Sequence, residues 1–593
     1  MVSGGGGARL WRAGAGVAAV LLVGLSLPGV SRGDPVPVGP ANGHTVTVRA
    51  STLAGEAVRS TAPRARPKYG APRSAATPRP NVMVVMMDDM RWDEVQYLPN
   101  VQRYVRDRGL RFTNSFSPYP LCCPARTSFL LGKYAHNHHV LYHDAPYGFG
   151  SIDDSRTIAT SLERVGYRTA MVGKYLNGYG VMPSRVTGRS SIDYVPAGWT
   201  DWMAGLDTIW PDGSPYRGNT YNYYSFTQNI NGGTVAHHGQ YSSTVIADEV
   251  IGLVGAHGAE RKATGRPWFL WVTPVAPHHG GPGESDDPAP YTEVDGRQQR
   301  FMTPARPLWL RGRFDTAISK APGTRAHGPS EADLRDKPEN IAKLPETTPE
   351  ENTRLRDVER QRAESLYAWD VEFGRIVRRL KDTGQFHDTL IMFTSDNGYY
   401  TGEHRQRLGK IKPHEPVIHV PLLVAGPEVP HGVRYAPVTT FDLTATILDI
   451  AGGTLRGMDG ESKAGLLYGA DRGWSYPMLT EGLLKDVHGP AKGFGSGLTE
   501  IGIRTGRYKY VRYANGDREL YDLATDPLEL ESRIDEPGYG TVQRDLDRLW
   551  WEYKDCRGEA CRAPLPASYQ RTKRQLVNQV VHARHEVGRY YGE

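Results

Sequence analysis

The chain has 593 residues and a mass of 65.6 kDa, and 39% of its residues are hydrophobic, 23% charged and 10% aromatic. This composition excludes a mainly disordered, collagen-like or multi-span membrane protein, and the length allows roughly two to four domains. Lys and Arg exceed Asp and Glu by 71 to 65, a formal charge of +6. This small excess is weak support for an anionic ligand and weaker support for nucleic acid.

The first residues have the layout of a secretory signal. Arg9 and Arg12 precede an apolar run over residues 13–27, and small, turn-forming residues follow. The run is shorter than the ~20 residues that a stable membrane span needs, so we expect residues 1–33 to be a signal peptide of a secreted protein. An uncleaved membrane anchor is the alternative.

Residues 34–80 are rich in Pro, Ala, Arg and Thr, which predicts a basic, disordered linker.

Apolar runs alternate with helical patterns from residue 81 to about residue 453. Residues 82–87 form a continuous apolar run, which is typical of a strand buried on both faces. Further strands are predicted at 169–174, 268–272, 389–394 and 420–424, and helices at 157–165, 362–380 and 443–451. Strands separated by helices predict an α/β fold with a doubly wound sheet.

Two parts of the chain do not follow this alternation. Residues 280–353 are polar and rich in proline, and a loop of that length is expected to cover a sheet edge and help to shape a pocket. Residues 454–593 are expected to form a smaller α+β domain beside a main domain of residues 81–453. The evidence is a set of short strand-like pieces at 501–504, 508–511 and 519–523, and a charged helical tail from residue 539.

Four cysteines are too few for a disulfide-dense scaffold. They occur as an adjacent pair, Cys122 and Cys123, and a close pair, Cys556 and Cys561. Export to an oxidising compartment would let Cys556 and Cys561 close a small loop as a disulfide. A zinc site would need more ligands than the C-terminal tail offers, so a disulfide is the expected pairing.

Polar side chains cluster at the ends of four predicted strands, namely Asp88 and Asp89, Lys174, His278 and His279, and Asp396 and Asn397. In open α/β sheets, ligands bind at the carboxyl ends of the strands. One acidic pair there is often a turn or helix cap, but agreement at four strands indicates a site. The three aspartates and the asparagine offer oxygen, which Ca²⁺ and Mg²⁺ prefer, whereas zinc usually takes His or Cys. We therefore expect a divalent cation that acts as a Lewis acid on an anionic substrate.

The most informative segment is residues 122–133, Cys-Cys-Pro-Ala-Arg-Thr-Ser-Phe-Leu-Leu-Gly-Lys. It resembles the signature of the sulfatase family, Cys-x-Pro-x-Arg followed by Leu-x-Gly and Arg or Lys, at the same spacing throughout. In that family a formylglycine-generating enzyme oxidises the first cysteine, and the hydrated aldehyde is the nucleophile. The resemblance assigns this modification to Cys122 and implies that Arg126 orients the new side chain. A buried thiol and a strained vicinal disulfide with Cys123 are the alternatives.

Other segments resemble the same family, which implies an alkaline-phosphatase-like sheet. Residues 81–93 and 394–398 match its metal-binding segments. The implied ligands of a Ca²⁺ ion, or Mg²⁺, are Asp88, Asp89, Cys122, Asp396 and Asn397. Lys174 and Lys410 match the sulfate-binding lysines, and His278 matches the histidine that faces the leaving group. The implied catalytic set is Cys122, Arg126, Lys174, His278 and Lys410, of which the two lysines and the histidine also bind substrate.

One position departs from the family pattern. Many arylsulfatases have Gly-Lys-x-His after the second strand, but Leu176 occupies the histidine position here and Asn177 follows. Asn177 can orient a hydroxyl group but cannot usefully accept a proton, so the base that acts after sulfuryl transfer is not identified. Either His136, His138 or His139 substitutes for that base, or these three are surface histidines beside the site.

The motifs resemble most closely those of N-acetylglucosamine-6-sulfatase and its bacterial relatives. This implies a sulfuric ester hydrolase acting on a sulfated sugar of the N-acetylglucosamine-6-sulfate type or on an aryl sulfate. Substrate choice depends on loops outside the motifs, so the family alone does not fix the sugar. The alternatives are a phosphonate or phosphate ester hydrolase of the same superfamily and an unmodified, inactive glycan-binding homologue. We expect neither nucleic-acid binding, since the linker lacks interleaved aromatic residues, nor stable membrane insertion.

Overall fold

The computed structural model describes residues 78–593 apart from 293–295, 297, 486, 488–493, 495–496 and 593, so the predicted signal and nearly all of the linker lie outside it. The described residues form eighteen strands: β1 (Asn81–Met87), β2 (Leu110–Phe112), β3 (Ser115–Phe116), β4 (Arg168–Gly173), β5 (Asp201–Gly205), β6 (Ser225–Ile230), β7 (Gly233–His238), β8 (Trp268–Thr273), β9 (Tyr291–Thr292), β10 (Gln298–Gln299), β11 (Thr389–Ser395), β12 (Leu422–Ala425), β13 (Gly432–Arg434), β14 (Val438–Thr439), β15 (Met478–Gly482), β16 (Glu500–Arg504), β17 (Tyr508–Tyr513) and β18 (Arg518–Asp522).

The α-helices of the described residues are α1 (Pro99–Val101), α2 (Cys122–Leu131), α3 (Ala135–His138), α4 (Ile158–Arg164), α5 (Ser242–Thr264), α6 (Glu339–Ala342), α7 (Pro349–Asp382), α8 (Glu415–Ile418), α9 (Asp442–Ala451), α10 (Ala464–Tyr468), α11 (Gly540–Tyr553) and α12 (Lys573–Val587). In this part of the chain, no helix combines the length and the apolar character that a membrane crossing requires.

A ten-stranded mixed sheet forms the centre of the fold, in the order β13-β2-β12-β11-β1-β8-β4-β5-β6-β7. Its middle strands β11, β1, β8, β4 and β5 are parallel. Successive residues of β1 enter opposite apolar clusters: Val82 and Val84 pack on the side of α2, α4 and α9, and Met83 and Val85 on the side of α5 and α7. Because helices cover both faces, β1 is buried throughout, and the predicted doubly wound α/β fold is confirmed.

The predicted strand at 420–424 exists as β12, but it runs antiparallel to β11. A parallel neighbour would need a crossover of a dozen or more residues to the opposite end of the sheet. Residues 396–421 make no such crossover: β12 begins where β11 ends, with Leu422 beside Thr394. This connection therefore stays at the carboxyl edge of β11 and contributes side chains there.

The predicted helix at 362–380 begins earlier, at Pro349. Thr348 accepts a hydrogen bond from the Glu351 backbone, and the Glu351 side chain accepts one from Thr348 N–H, a reciprocal cap that starts the helix. The segment predicted as a loop therefore ends at Thr348. Before it, the described residues form only short elements, namely β9, β10, α6 and one 3₁₀ turn.

A smaller C-terminal domain is built on the antiparallel sheet β15-β16-β17-β18, with α11 against one face. Its core joins Ile503 and Tyr510 of the sheet to Trp550 of α11, and it also includes Tyr119 and Leu121, which immediately precede Cys122. The three predicted strands are present as β16, β17 and β18. The C-terminal sheet thus supports the start of helix α2.

Cys556 and Cys561 form the predicted disulfide. The Cys556 carbonyl accepts a hydrogen bond from the Asn137 side chain at 2.8 Å, so the loop supports α3. For a closed loop of about six residues, we expect the double substitution of Cys556 and Cys561 by alanine to lower the free energy of unfolding by about 2 kcal/mol. Urea denaturation would measure this. A reducing agent should destabilise the wild type by the same amount and leave the double variant unchanged; an equal effect on both would contradict the prediction.

Candidate active site

The sheet order brings the four polar strand ends together. Strands β11, β1, β8 and β4 are adjacent and parallel, so their carboxyl ends meet at one edge. Asp88 and Asp89 follow β1, Lys174 follows β4, and Asp396 follows β11. His278 lies five residues after β8. All are buried, so the charges of this edge act on one another with little solvent screening.

Helix α2 places residue 122 in this group. Leu121 is extended, Cys122 is the first helical residue, and Gly132, whose φ of +67° favours glycine, ends the helix. Arg126 lies one turn along the helix and is fully buried. It donates from Nε to Asp396 Oδ2 and from Nη1 to the Lys174 carbonyl, each at 2.8 Å. Arg126 therefore fixes the start of α2 against two strand ends.

Cys122 Sγ lies between carboxylates and an ammonium group. It is 3.3 Å from Asp88 Oδ1, 3.7 Å from Asp89 Oδ1 and 2.8 Å from Lys410 Nζ. Burial, with the Asp88 charge, raises the pKa of the Cys122 thiol well above its ordinary value. An unmodified Cys122 would stay protonated and be a poor nucleophile. Both Cys122 and Cys123 are free and buried, so the vicinal disulfide is not formed.

Two lysines balance the two carboxylates after β1. Lys174 Nζ is 2.6 Å from Asp88 Oδ2, and Lys410 Nζ contacts Asp89 Oδ1. Burial opposes ionisation of both acids, but Lys174 holds the pKa of Asp88 well below its usual range and Lys410 lowers that of Asp89 to about 2. Burial raises the pKa of Asp396 to about 6, although the positive charge of Arg126 acts to lower it. Asp88 and Asp89 are therefore carboxylates at neutral pH.

The donor set fits a hard cation. Asp89 Oδ2 and Asn397 Oδ1 are buried oxygens that accept no hydrogen bond from the described residues. Asn397 Nδ2 donates to Asp89 Oδ1 at 2.7 Å, which holds the two side chains together. Asp396 is engaged differently, since Oδ1 accepts from the Asp89 and Asn397 backbone and Oδ2 from Arg126. Unpartnered carboxylate and amide oxygens are the ligands that Ca²⁺ and Mg²⁺ take.

His278 faces the same carboxylates. Its Nε2 lies 3.7 Å from Asp89 Oδ2, and its Nδ1 donates to the His279 carbonyl at 2.7 Å. Asp88, Asp89, Cys122 and His278 each offer a ligand atom, and these atoms lie within 4.8 Å of one another. The predicted catalytic and metal-binding residues therefore lie together at one edge of the sheet, where each contacts at least one other member of the set.

Tyr221 is a site residue that the sequence motifs did not indicate. Its ring centroid lies 4.8 Å from Lys174 Nζ and 4.7 Å from that of His278, and its hydroxyl accepts from Asn177 Nδ2 at 2.5 Å. Leu176 points instead into the apolar cluster on the α2 side of the sheet. Asn177 therefore positions Tyr221, and no sequence signal marked this tyrosine, which lies in a loop.

His136 and His138 are neither the missing base nor surface residues, which corrects both interpretations. His136 contacts Glu481 of β15 through Nδ1, and its Nε2 donates to the Cys556 carbonyl at 2.7 Å. His138 is also buried, with Nε2 3.0 Å from Ser128 Oγ and Nδ1 accepting from Val140 N–H. Both rings are committed to structural hydrogen bonds. His139 is exposed, as the surface interpretation expects.

The buried His136–Glu481 pair predicts a pH dependence of stability. Burial opposes the charged imidazole, but the Glu481 carboxylate raises the pKa of His136 to about 9, above its ordinary 6.5. The stabilisation is therefore complete below about pH 6.5 and is lost as the pH rises through 9, by about 3 kcal/mol in total. Urea denaturation from pH 6 to pH 10 would measure the slope.

The control is the pair of substitutions His136→Gln and Glu481→Gln, which keeps a hydrogen bond without charge. The difference in free energy of unfolding between the wild type and this double variant should shrink by about 3 kcal/mol from pH 6 to pH 10. A constant difference would show that His136 does not change its charge on unfolding.

Comparison with known proteins decides the family. A family model described as Sulfatase matches residues 80–453, and one described as N-sulphoglucosamine sulphohydrolase, C-terminal, matches residues 402–555. The chain belongs to the sulfatase family. The N-acetylglucosamine-6-sulfatase of Homo sapiens is 31% identical to this sulfatase over 535 residues, which cover 83% of this chain and 87% of the human protein. The predicted enzyme class, a sulfuric ester hydrolase, is thereby confirmed.

A second sequence relative and a solved structure are also similar to this sulfatase. The arylsulfatase of Volvox carteri is 29% identical over 539 residues, covering 83% of this chain and 77% of that protein. Among solved structures, BT4656 in complex with its substrate D-glucosamine-2-N,6-O-disulfate aligns with a TM-score of 0.59 and 19% identity, over 80% of this chain and 98% of that one. At that identity the structural likeness shows the fold alone.

Proposed function

We propose that this sulfatase releases inorganic sulfate from a sulfated sugar of the N-acetylglucosamine-6-sulfate type, with residue 122 as formylglycine. The observation that carries the proposal is the position of residue 122, within 4 Å of Asp88, Asp89 and Lys410 at the start of a buried helix. The name of the human relative supports the sugar, and that of the Volvox relative keeps an aryl sulfate as the second candidate.

The chain's own side chains would bind the sulfate group and control its protons. Formylglycine would supply a hydrated aldehyde as the nucleophile, and a Ca²⁺ or Mg²⁺ ion on Asp88, Asp89, Asp396 and Asn397 would supply positive charge beside a sulfate oxygen. Lys174 and Lys410 would offset the remaining sulfate charge, in a site whose burial strengthens each ion pair. His278 and Lys410 flank Asp89. The ammonium group of Lys410 would donate a proton to the departing oxygen, and His278 would do so only as an imidazolium, because the neutral ring already uses its Nδ1 proton on the His279 carbonyl.

The direct test compares matched esters. We expect secreted protein to hydrolyse N-acetylglucosamine 6-sulfate, or an aryl sulfate, with kcat/KM at least roughly tenfold above that for the corresponding phosphate ester. A preference for the phosphate or a phosphonate would favour the superfamily alternative. Failure with all esters, with Cys122 still a thiol, would favour the inactive glycan-binding alternative.

Export is a separate proposal. The N-terminal sequence of protein from the culture medium should begin after the apolar run of residues 13–27, and retention of that run in membrane-bound protein would support the anchor instead.

Removal of the divalent cation should lower both stability and activity. Protein treated with a chelator and then given Ca²⁺ at about 100 times its Kd should gain about 2.7 kcal/mol, seen as a rise in Tm. Asn397→Ala removes one unpartnered buried oxygen, so this variant should need more Ca²⁺ for the same rise. Asn578→Ala, at an exposed position of α12, is the control and should respond like the wild type. No rise in Tm with Ca²⁺ or Mg²⁺ would contradict the cation assignment.

A further inference from the structure

The backbone takes an unusual conformation directly after β1. Successive side chains of a strand point to opposite faces of the sheet, yet Asp88 and Asp89 both reach Cys122 Sγ, at 3.3 and 3.7 Å. Asp89 has a φ of +67°, in the left-handed region that residues other than glycine rarely adopt. An extended residue 89 would send its carboxylate to the opposite face. The left-handed conformation therefore lets both acids reach one site.

A left-handed aspartate is unfavourable by itself and persists only where its surroundings hold it. The end of β11 holds one side of the turn, since Asp89 N–H donates to Asp396 Oδ1 at 3.1 Å and Met90 N–H donates to Ser395 Oγ at 2.9 Å. From the other side, the Asp89 carbonyl accepts from Arg362 Nη2 at 2.7 Å. Arg362 lies in α7, so a long helix outside the signature segments holds the turn.

Arg362 is itself fixed by a buried partner. Its Nε and Nη2 donate to the two carboxylate oxygens of Glu94, at 2.7 and 2.9 Å, and the two side chains are only 2% and 1% exposed. Glu94 Oε2 also accepts from the Arg91 N–H at 2.8 Å. This ion pair therefore holds the Asp89 carbonyl and the Arg91 amide, on either side of Met90. Only a planar guanidinium can donate to these partners at once in fixed directions.

We propose that Arg362, together with Glu94, is a positioning residue that holds Asp89 in its left-handed conformation and so preforms the cation site. In that conformation, Asp89 Oδ2 is left without a hydrogen-bond donor among the described residues. Arg362 bonds to the main-chain carbonyl of Asp89, not to its carboxylate, so it acts on the backbone and not on the cation. The inference rests on the proposed function only in the assignment of a divalent cation to Asp89.

A positioning role predicts a specific pattern of effects. Without Arg362, the turn would relax to commoner backbone conformations in part of the molecules, and the cation would bind only the remainder. The apparent Kd for the cation then rises as that remainder falls, whereas a saturating cation concentration returns all molecules to the competent conformation. A role limited to packing would instead lower Tm and leave the affinity for the cation unchanged.

The test uses Arg362→Met combined with Glu94→Gln, because removing both charges leaves neither one buried and unpaired. Chelator-treated protein would be titrated calorimetrically with Ca²⁺ or Mg²⁺, at a temperature where the metal-free proteins are folded. We expect the Kd of the double variant to be about 10–100 times that of the wild type, as for other groups that orient metal ligands. At saturating cation, kcat for the ester that the wild type hydrolyses should be unchanged.

Two further variants keep the test decisive. Arg362→Lys keeps the charge without the fixed donor directions, so its Kd should lie between those of the wild type and the double variant, and it serves alone if the double variant does not fold. Arg507→Met combined with Asp522→Asn is the matched control. It removes a pair of the C-terminal domain in which two guanidinium nitrogens also meet two carboxylate oxygens, and it should leave the Kd unchanged.

The outcomes separate this inference from the proposed function. A wild-type Kd in both Arg362 variants, or a kcat that stays low at saturating cation, would overturn the inference and leave the proposed function standing. A wild type that binds neither Ca²⁺ nor Mg²⁺ would overturn the inference together with the cation assignment.

Discussion

Replacing Cys122 by alanine should abolish hydrolysis, lowering kcat by roughly 10³-fold or more, because loss of a covalent nucleophile leaves only binding and charge stabilisation. The fold should be kept, since a thiol that is 2% exposed is exchanged for a slightly smaller apolar group. In the wild type, the peptide carrying residue 122 should be about 18 Da lighter than its cysteine form, as expected for an aldehyde in place of the thiol.

Cys123→Ala is the matched control, because Cys123 is an equally buried neighbour that faces the apolar cluster rather than the carboxylates. This variant should keep both the mass difference and the activity. Full activity in protein whose residue 122 is an unmodified thiol would refute the formylglycine assignment and leave the cation as the source of catalysis.

Replacing Arg126 by methionine should cost about 3–5 kcal/mol of the free energy of unfolding, the effect of removing one partner from a buried ion pair. Asp396 is fully buried and would lose the 2.8 Å bond from Arg126 Nε, while the Lys174 carbonyl would lose its bond from Nη1. Guanidinium denaturation of the metal-loaded protein would measure the change, and activity should fall with it because the start of α2 loses its anchor.

Arg126→Lys separates charge from geometry. A lysine keeps the charge near Asp396 but cannot donate to two partners in the fixed directions of a guanidinium. We expect most of the stability to return in this variant while activity stays low. If the methionine variant were as stable as the wild type, the Arg126–Asp396 pair would contribute no net stabilisation, and the role of Arg126 would be limited to orienting the side chain of residue 122.

The residues of the site were easier to predict from the sequence than the order and direction of the strands in the sheet. Apolar runs that stop at Asp88, Lys174 and Asp396 marked three strand ends, and parallel strands bring such ends to one edge whatever their order. The order β11-β1-β8-β4 itself depends on tertiary packing, which no local pattern encodes. The antiparallel direction of β12 could not be predicted for the same reason, because nothing local to residues 420–424 shows whether the preceding connection crosses to the other end of the sheet.

Other features lay beyond local reasoning for different reasons. The partner of His136 is Glu481, 345 residues away in sequence, so neither its burial nor its charge followed from the histidine-rich segment itself. Helix α5 was not predicted, although it has 23 residues and its buried side chains lie along one stripe. By contrast, the early start of α7 could have been predicted from the sequence, because Thr348, Pro349 and Glu351 form a standard N-terminal cap.

If residue 122 becomes formylglycine as proposed, the burial of helix α2 has a consequence for when that conversion can occur. Cys122, Pro124 and Arg126 are all buried in the folded chain, beneath a cover that includes the C-terminal sheet more than 350 residues downstream. A modifying enzyme that must grasp this segment can do so only while the chain is unfolded. Under the proposed formylglycine assignment, oxidation of Cys122 would therefore compete with folding, and a chain that folded first would keep its thiol. Slower folding, or removal of the C-terminal domain, should therefore raise the fraction of chains that are converted.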